Sequence, residues 1–150
     1  TRTQSVLNGI REASPQAGLI AIHDGARPLV RSEMIDEMIR AGWQTQAAAP
    51  STPVTDTVKV ADDDRWVAST PDRSTLYAVQ TPQVFQANIL KAALQAALAS
   101  GEPVTDDCAA VMLLDAEVFL VEGSEENLKL TTPADIYAAS AIIDARGEFM

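Results

Sequence analysis

The chain holds one cysteine, Cys108, one histidine, His23, and few aromatic residues, 5% of its 150 positions. A single cysteine excludes an internal disulfide, so a disulfide-held scaffold is out and a reducing cytoplasm is the expected setting. Basic residues are scarce as well: 11 Lys and Arg stand against 21 Asp and Glu, for a net charge of −10. Broad contact with nucleic acid or with an anionic membrane surface needs positive charge and is excluded, whereas a small phosphate ligand needs only two or three local cations. No apolar run approaches the roughly 20 residues of a membrane-spanning helix, and no signal peptide is visible. There is no Gly-x-Gly run, and no lysine precedes Lys59. Repeats and low-complexity tracts are missing too. The first residue is Thr1 and the opening residues already read as domain interior, so the chain is expected to be part of a longer one.

What is present is enough apolar residue, 47%, to build the core of one domain. Val6, Leu7 and Ile10 recur at helical spacing, which predicts a helix over 4–13. Residues 19–23 read as a strand. Ser32 is expected to cap a helix to about residue 42, with Met34, Ile35, Met38 and Ile39 on one face. A short buried strand is expected at 47–50, and period-two alternation followed by the turn "ADDD" predicts a β-hairpin over 54–70. The two faces of that hairpin do not separate into core and solvent, so it is expected to protrude and pack outside its own domain. A strand at 76–80, helices at 86–99 and 106–114, strands at 117–123 and 127–131, and a last helix to about 146 complete the reading. Gly101 should end one helix. Thr132, Pro133 and Asp135 mark the start of the last. Strands alternate with helices, which predicts an α/β fold with a mostly parallel sheet.

In such sheets ligands bind beyond the carboxyl ends of strands. The stretch "GLIAIHDGARPLV", residues 18–30, runs from an apolar strand into His23, Asp24 and Arg27 at such an end, and Lys129 is expected at another. The motifs "HDGARPLV", "PVTDTVK", "TPDRSTLYAVQTPQVF", "TDDCAAV" and "VEGSEENLKLTTPADI" follow one another in order. Together, from Arg2 to about Ile136, they resemble the 2-C-methyl-D-erythritol 4-phosphate cytidylyltransferase family.

That resemblance implies a Rossmann-like domain with helices on both faces and an arm, here about 54–73, that clasps a second copy into a homodimer. It implies transfer of CMP from CTP to methylerythritol phosphate, with release of pyrophosphate and with Mg²⁺ on the triphosphate. The family's Gly-rich, Arg- and Lys-bearing nucleotide loop has no counterpart here. The chain is therefore expected to correspond to the later two thirds of such an enzyme, inactive by itself.

By the same resemblance, Arg73 and Lys129 hold the substrate phosphate, Arg73 across the dimer. A guanidinium suits that work because its planar fork meets phosphate bidentately. Asp24 would accept from the polyol hydroxyls, and Arg27 would bind substrate or fix the Asp24 loop. Thr57, Thr81 and Thr105 would line the polyol pocket with groups that both donate and accept, although Thr105 also fits a helix cap. Ser5, Arg2 and the amide of Gly25, a position usually alanine in the family, would lie on the nucleotide side.

The attacking phosphate is already ionised, so His23 is read as orienting its loop rather than as a base. Asp62, Asp63 and Asp64 are read as a solvated turn, not a metal site, and Cys108 as inert core. A ribitol-5-phosphate cytidylyltransferase, or a non-catalytic module that binds a phosphorylated ligand, are the alternatives these residues leave open.

Overall fold

A computed structural model describes residues 2–101 and 104–147. In chain order the elements are α1 (Arg2–Glu12), β1 (Leu19–Ile22), α2 (Ser32–Thr45), β2 (Ala47–Pro53), β3 (Val60–Ala61), β4 (Val67–Ser69), a 3₁₀ turn (Arg73–Thr75), β5 (Tyr77–Val79), β6 (Gln83–Gln86), α3 (Ala87–Ser100), α4 (Asp107–Met112), β7 (Phe119–Glu122) and α5 (Pro133–Arg146).

The core sits on both faces of the main sheet, as the period of a strand dictates. Ala47, Ala49 and Phe85 face α1, α3 and α4, against Leu7, Ile10, Leu90, Leu94 and Val111. Ala48 and Val84, one residue out of phase, face α2 with Met38 and Ala41. The small side chains of β2 let helices close on it from both sides. Gly42 does the same for α2, since a Cβ there would lie 2.5 Å from Val84 Cγ1. The α/β architecture is thus as expected.

The pairing is not. The sheet runs β1-β6-β2-β5, with β7 on the other side of β2. Only β2–β7 is parallel; β1–β6, β2–β6 and β2–β5 are antiparallel. The expectation of a mostly parallel sheet is corrected for a simple reason. A parallel return needs a crossover of a dozen or more residues, usually helical. Residues 54–82 contain no α-helix, so the chain leaves β2 into the arm and must come back antiparallel along it.

Three further expectations change. Residues 83–85, unassigned between a Pro and the helix expected from 86, join Gln86 in strand β6, between β1 and β2. Residues 127–131 are not a strand; Leu130 N donates to the Ala26 carbonyl at 2.8 Å in a loop-to-loop contact. Ser32 is the first residue of α2 rather than its cap, which is Arg31, whose side chain makes no bond to the helix end.

The hairpin is shorter than its alternation suggested. Only β3 and β4 pair, as a sheet of their own, and 54–59 is not strand. Its turn is organised by Asp62, whose Oδ1 accepts from the amides of Trp66 at 2.8 Å and Asp64 at 3.1 Å. Trp66 is 75% exposed, so among the described residues this hairpin has no core to bury in.

The last helix begins as expected. Thr132 and Asp135 form a capping box, and Gly147 closes the helix in the left-handed region. Asp135 Oδ2 accepts from the amides of Thr131 at 2.8 Å and Thr132 at 2.6 Å. These bonds favour the ionised carboxylate and hold its pKa at about 2, below the ordinary 3.8. A depressed carboxylate lends stability above its unfolded pKa and loses it as pH falls through the folded one. Asp135→Ala should therefore lower the melting temperature by a few degrees at neutral pH. That gap should narrow below about pH 4 and nearly close toward pH 2. Circular dichroism melts across this range check it, and a gap independent of pH would count against the charged cap.

Candidate active site

Past the end of β1 the chain turns through 23–31, and a set of local bonds shapes that turn. His23 Nε2 lies 2.9 Å from the Arg27 carbonyl. A carbonyl only accepts, so the ring proton is assigned to Nε2 and Nδ1 is the acceptor. Thr81 Oγ1, 3.0 Å from Nδ1, then donates to it and accepts from the Asp24 amide at 2.9 Å. The one histidine is a latch, closing its own loop and tying it to the segment after β5.

That latch points Asp24 and Arg27 the same way. Asp24 Oδ2 lies 3.0 Å from Lys129 Nζ and 3.7 Å from Arg27 Nε. Arg27 also donates from Nη1 to the Asn127 carbonyl at 2.6 Å. Its burial lowers the guanidinium pKa, an effect opposed by Asp24, but an arginine so placed remains a cation. One carboxylate therefore holds two cations in place while leaving donors on both.

These groups surround a hollow of about 160 Å³ lined by Asp24, Arg27, Gln80, Thr81, Thr105 and Lys129, with Val79, Gln83 and Asp106 completing it. The fold thus brings together five of the residues singled out from sequence. Thr81 has both its donor and one acceptor position committed within the loop, so it shapes the wall more than it offers a free hydroxyl. Asp106 is fixed by its own bonds: Oδ1 accepts from Ala109 N at 2.8 Å and Oδ2 from Gln83 Nε2 at 3.0 Å.

The remaining candidates lie elsewhere. Arg73 is exposed in the 3₁₀ turn at the base of the arm, donating from Nη1 to the Thr55 carbonyl at 2.7 Å. The Asp72 side chain accepts from the Ser74 amide and hydroxyl and so fixes that turn. Those bonds, the backbone one first, lower its pKa. Thr57 is exposed in the unpaired 54–59 segment. Gly25 is exposed next to Asp24, and a Cβ there would meet nothing within 4 Å, so alanine would fit as well. Ser5 is exposed on α1 and does not line the hollow. The side chain of Arg2 lies outside the described residues.

Sequence reading assigned no role to three buried amides. Gln80 joins the wall to the loop after β7, donating to the Ser124 carbonyl at 2.8 Å. Gln83 secures Asp106, and Asn127 lies beneath Arg27. Their signal was there to see: amides inside the largely apolar stretch "YAVQTPQVF" and beside Leu128 and Leu130 in "NLKL". The second stretch is held from behind by Arg146 at the end of α5. It donates to Glu126 Oε2 at 2.7 Å and to the Leu29 carbonyl at 3.1 Å. Its hydrogen bond to Glu126, with the charges of Arg146 and Arg31, lowers the Glu126 pKa against the effect of burial.

Residues 1–145 match the family model described as IspD, 2-C-methyl-D-erythritol 4-phosphate cytidylyltransferase. The chain is 46% identical over 142 residues to the protein of that description from Caldanaerobacter subterraneus subsp. tengcongensis, covering 95% of this chain and 63% of that one. It is 45% identical over 145 residues to the one from Desulforamulus reducens, covering 97% and 62%. The crystal structure of 4-diphosphocytidyl-2C-methyl-D-erythritol synthase from Anaerococcus prevotii superposes with a TM-score of 0.88 at 37% identity, over 96% of this chain and 64% of that one. The chain thus spans a little under two thirds of the length of these relatives. With a family model matched over nearly its whole length and a Rossmann-like sheet of the same architecture, the chain belongs to the 2-C-methyl-D-erythritol 4-phosphate cytidylyltransferase family.

Proposed function

We propose that this chain, within a whole enzyme of this family, transfers CMP from CTP to 2-C-methyl-D-erythritol 4-phosphate. A phosphate oxygen of the polyol phosphate forms a bond to the α-phosphorus of CTP as the bond to pyrophosphate breaks. Both reactants are anions, so cations and positioning must supply most of the rate, and no base is needed. The observation that carries this reading is the convergence of Asp24, Arg27 and Lys129 on one small polar hollow in a chain of this family.

In our reading Lys129 meets the substrate phosphate, Asp24 accepts from the polyol hydroxyls, and Arg27 holds Asp24 in place. Thr105 and Thr81 form the wall. Arg73 and Thr57, exposed on or beside the arm, serve the hollow of a second copy, so the working unit is a homodimer joined through the arm. Ser5, Arg2 and the Gly25 amide lie on the nucleotide side.

Among the described residues no three His, Cys, Asp or Glu side chains converge to hold a metal. Mg²⁺ would instead arrive on the phosphate oxygens of CTP, where it neutralises charge. Also among the described residues, no helix is long and apolar enough to cross a membrane. The cytoplasm is the proposed compartment, on the single cysteine.

The test is direct. Full-length protein incubated with CTP and Mg²⁺ should release pyrophosphate with methylerythritol phosphate and far more slowly with ribitol 5-phosphate. Release with ribitol phosphate alone would reassign the substrate. Binding without turnover of either would favour a non-catalytic module.

A further inference from the structure

Asn127 is almost completely buried, 1% exposed, yet it is polar and sits between the segments that carry the charges of the hollow. Its side-chain Nδ2 donates to the Thr81 carbonyl at 2.9 Å and stands 3.4 Å from Gln80 Oε1. Its backbone carbonyl accepts from Arg27 Nη1 at 2.6 Å. Lys129 follows two residues later and reaches Asp24 Oδ2 at 3.0 Å. One residue therefore joins partners 46 and 100 positions away in the chain.

The Oδ1 atom of Asn127 is buried with no hydrogen-bond partner. An amide half satisfied in the interior costs stability that a leucine of similar shape would not. Space filling alone does not account for it. Nor is there a strand here to hold the backbone: Asn127 N bonds locally to the Ser124 carbonyl, Thr131 N to Asp135 Oδ2, and Leu130 N to the Ala26 carbonyl, so the side-chain amide adds an anchorage that a sheet would otherwise give.

We infer that Asn127 is a positioning residue: its buried amide fixes both the carbonyl that aims Arg27 and the extended segment that delivers Lys129 to Asp24. This rests on reading the hollow as the polyol phosphate site. In the full-length protein, Asn127→Leu should fold and melt within a few degrees of wild type. Its KM for methylerythritol phosphate should rise about tenfold while that for CTP stays within about twofold.

Asn127→Asp adds a readout that loss of packing would not move. An ionised carboxylate cannot donate to the Thr81 carbonyl, whereas a protonated one can, and burial raises the pKa of such a group. Its polyol phosphate KM, taken relative to wild type at each pH, should therefore improve as pH is lowered from about 8 to about 6. This variant carries the test if Asn127→Leu does not fold. Equal changes in both KM values, or a ratio independent of pH, would overturn the assignment.

A crystal structure of either variant decides the same point without turnover. Loss of the Lys129–Asp24 and Arg27–carbonyl contacts supports the inference, and their retention overturns it. If wild-type protein turns over no polyol phosphate, the functional reading falls while this structural comparison still settles what Asn127 does.

Discussion

Replacing Lys129 with methionine is expected to lower kcat/KM for methylerythritol phosphate by about 10²–10³, on the order of the loss when one cationic clamp on a reacting phosphate is removed. The geometry says why the effect should be that large. Asp24 and Asp106 face Arg27 and Lys129 around the hollow, two carboxylates against two cations. Without the ammonium the balance turns negative, and Asp24 keeps only the longer contact to Arg27 at 3.7 Å. An anionic substrate then meets repulsion where it met a donor. Lys129→Arg retains the charge in a bulkier, planar head and should recover part of the activity. Steady-state kinetics in both substrates check this. A methionine variant within about threefold of wild type would remove Lys129 from the chemistry.

The second large effect concerns Arg73. In the full-length protein, Arg73→Ala alone should be nearly as impaired as Lys129→Met, because the guanidinium is the other proposed phosphate ligand. Mixing the two impaired proteins should restore activity. In a two-fold dimer with Arg73 reaching across, one site of each mixed pair contains neither substitution. Random exchange should then return about a quarter of wild-type activity. Activity that stays at the level of the separate variants would place Arg73 in its own chain's site, or outside the chemistry. The exposed position of Arg73 at the arm base, outside the hollow of its own chain, is what makes the cross-dimer outcome the expected one.

Much of this fold is legible in the sequence because local rules and tertiary packing agree there. The spacing of Val6, Leu7 and Ile10, the box of Thr132 and Asp135, and the left-handed glycines at 101 and 147 all give the helices they predict. Strand direction was not legible from periodicity, which reports a face and not a partner. The missing crossover helix between 54 and 82 was the readable clue to antiparallel return. The alternation Leu128-Lys129-Leu130 imitates a strand. What overrides it is a fully buried Asn127 that engages other loops, a pattern with no local signature.

The charged lining of the hollow was legible from motif order, since Asp24, Arg27, Thr81, Thr105 and Lys129 converge on it. Its amide scaffold was not. Gln80, Gln83 and Asn127 matter through partners 44, 23 and 100 residues away, contacts that exist only once the sheet has closed.

The excursion of the chain out of β2 and back has a mechanical corollary. β2 and β5 are the two roots of the arm, paired from Ser51–Val79 to Pro53–Tyr77, and Gln80 and Thr81 come immediately after. A displacement at the base of the arm therefore reaches the pocket wall through a stem of three residue pairs, since Gln80 and Thr81 follow β5 directly. In the proposed dimer, covalent continuity would couple contact at the arm to the shape of the pocket wall.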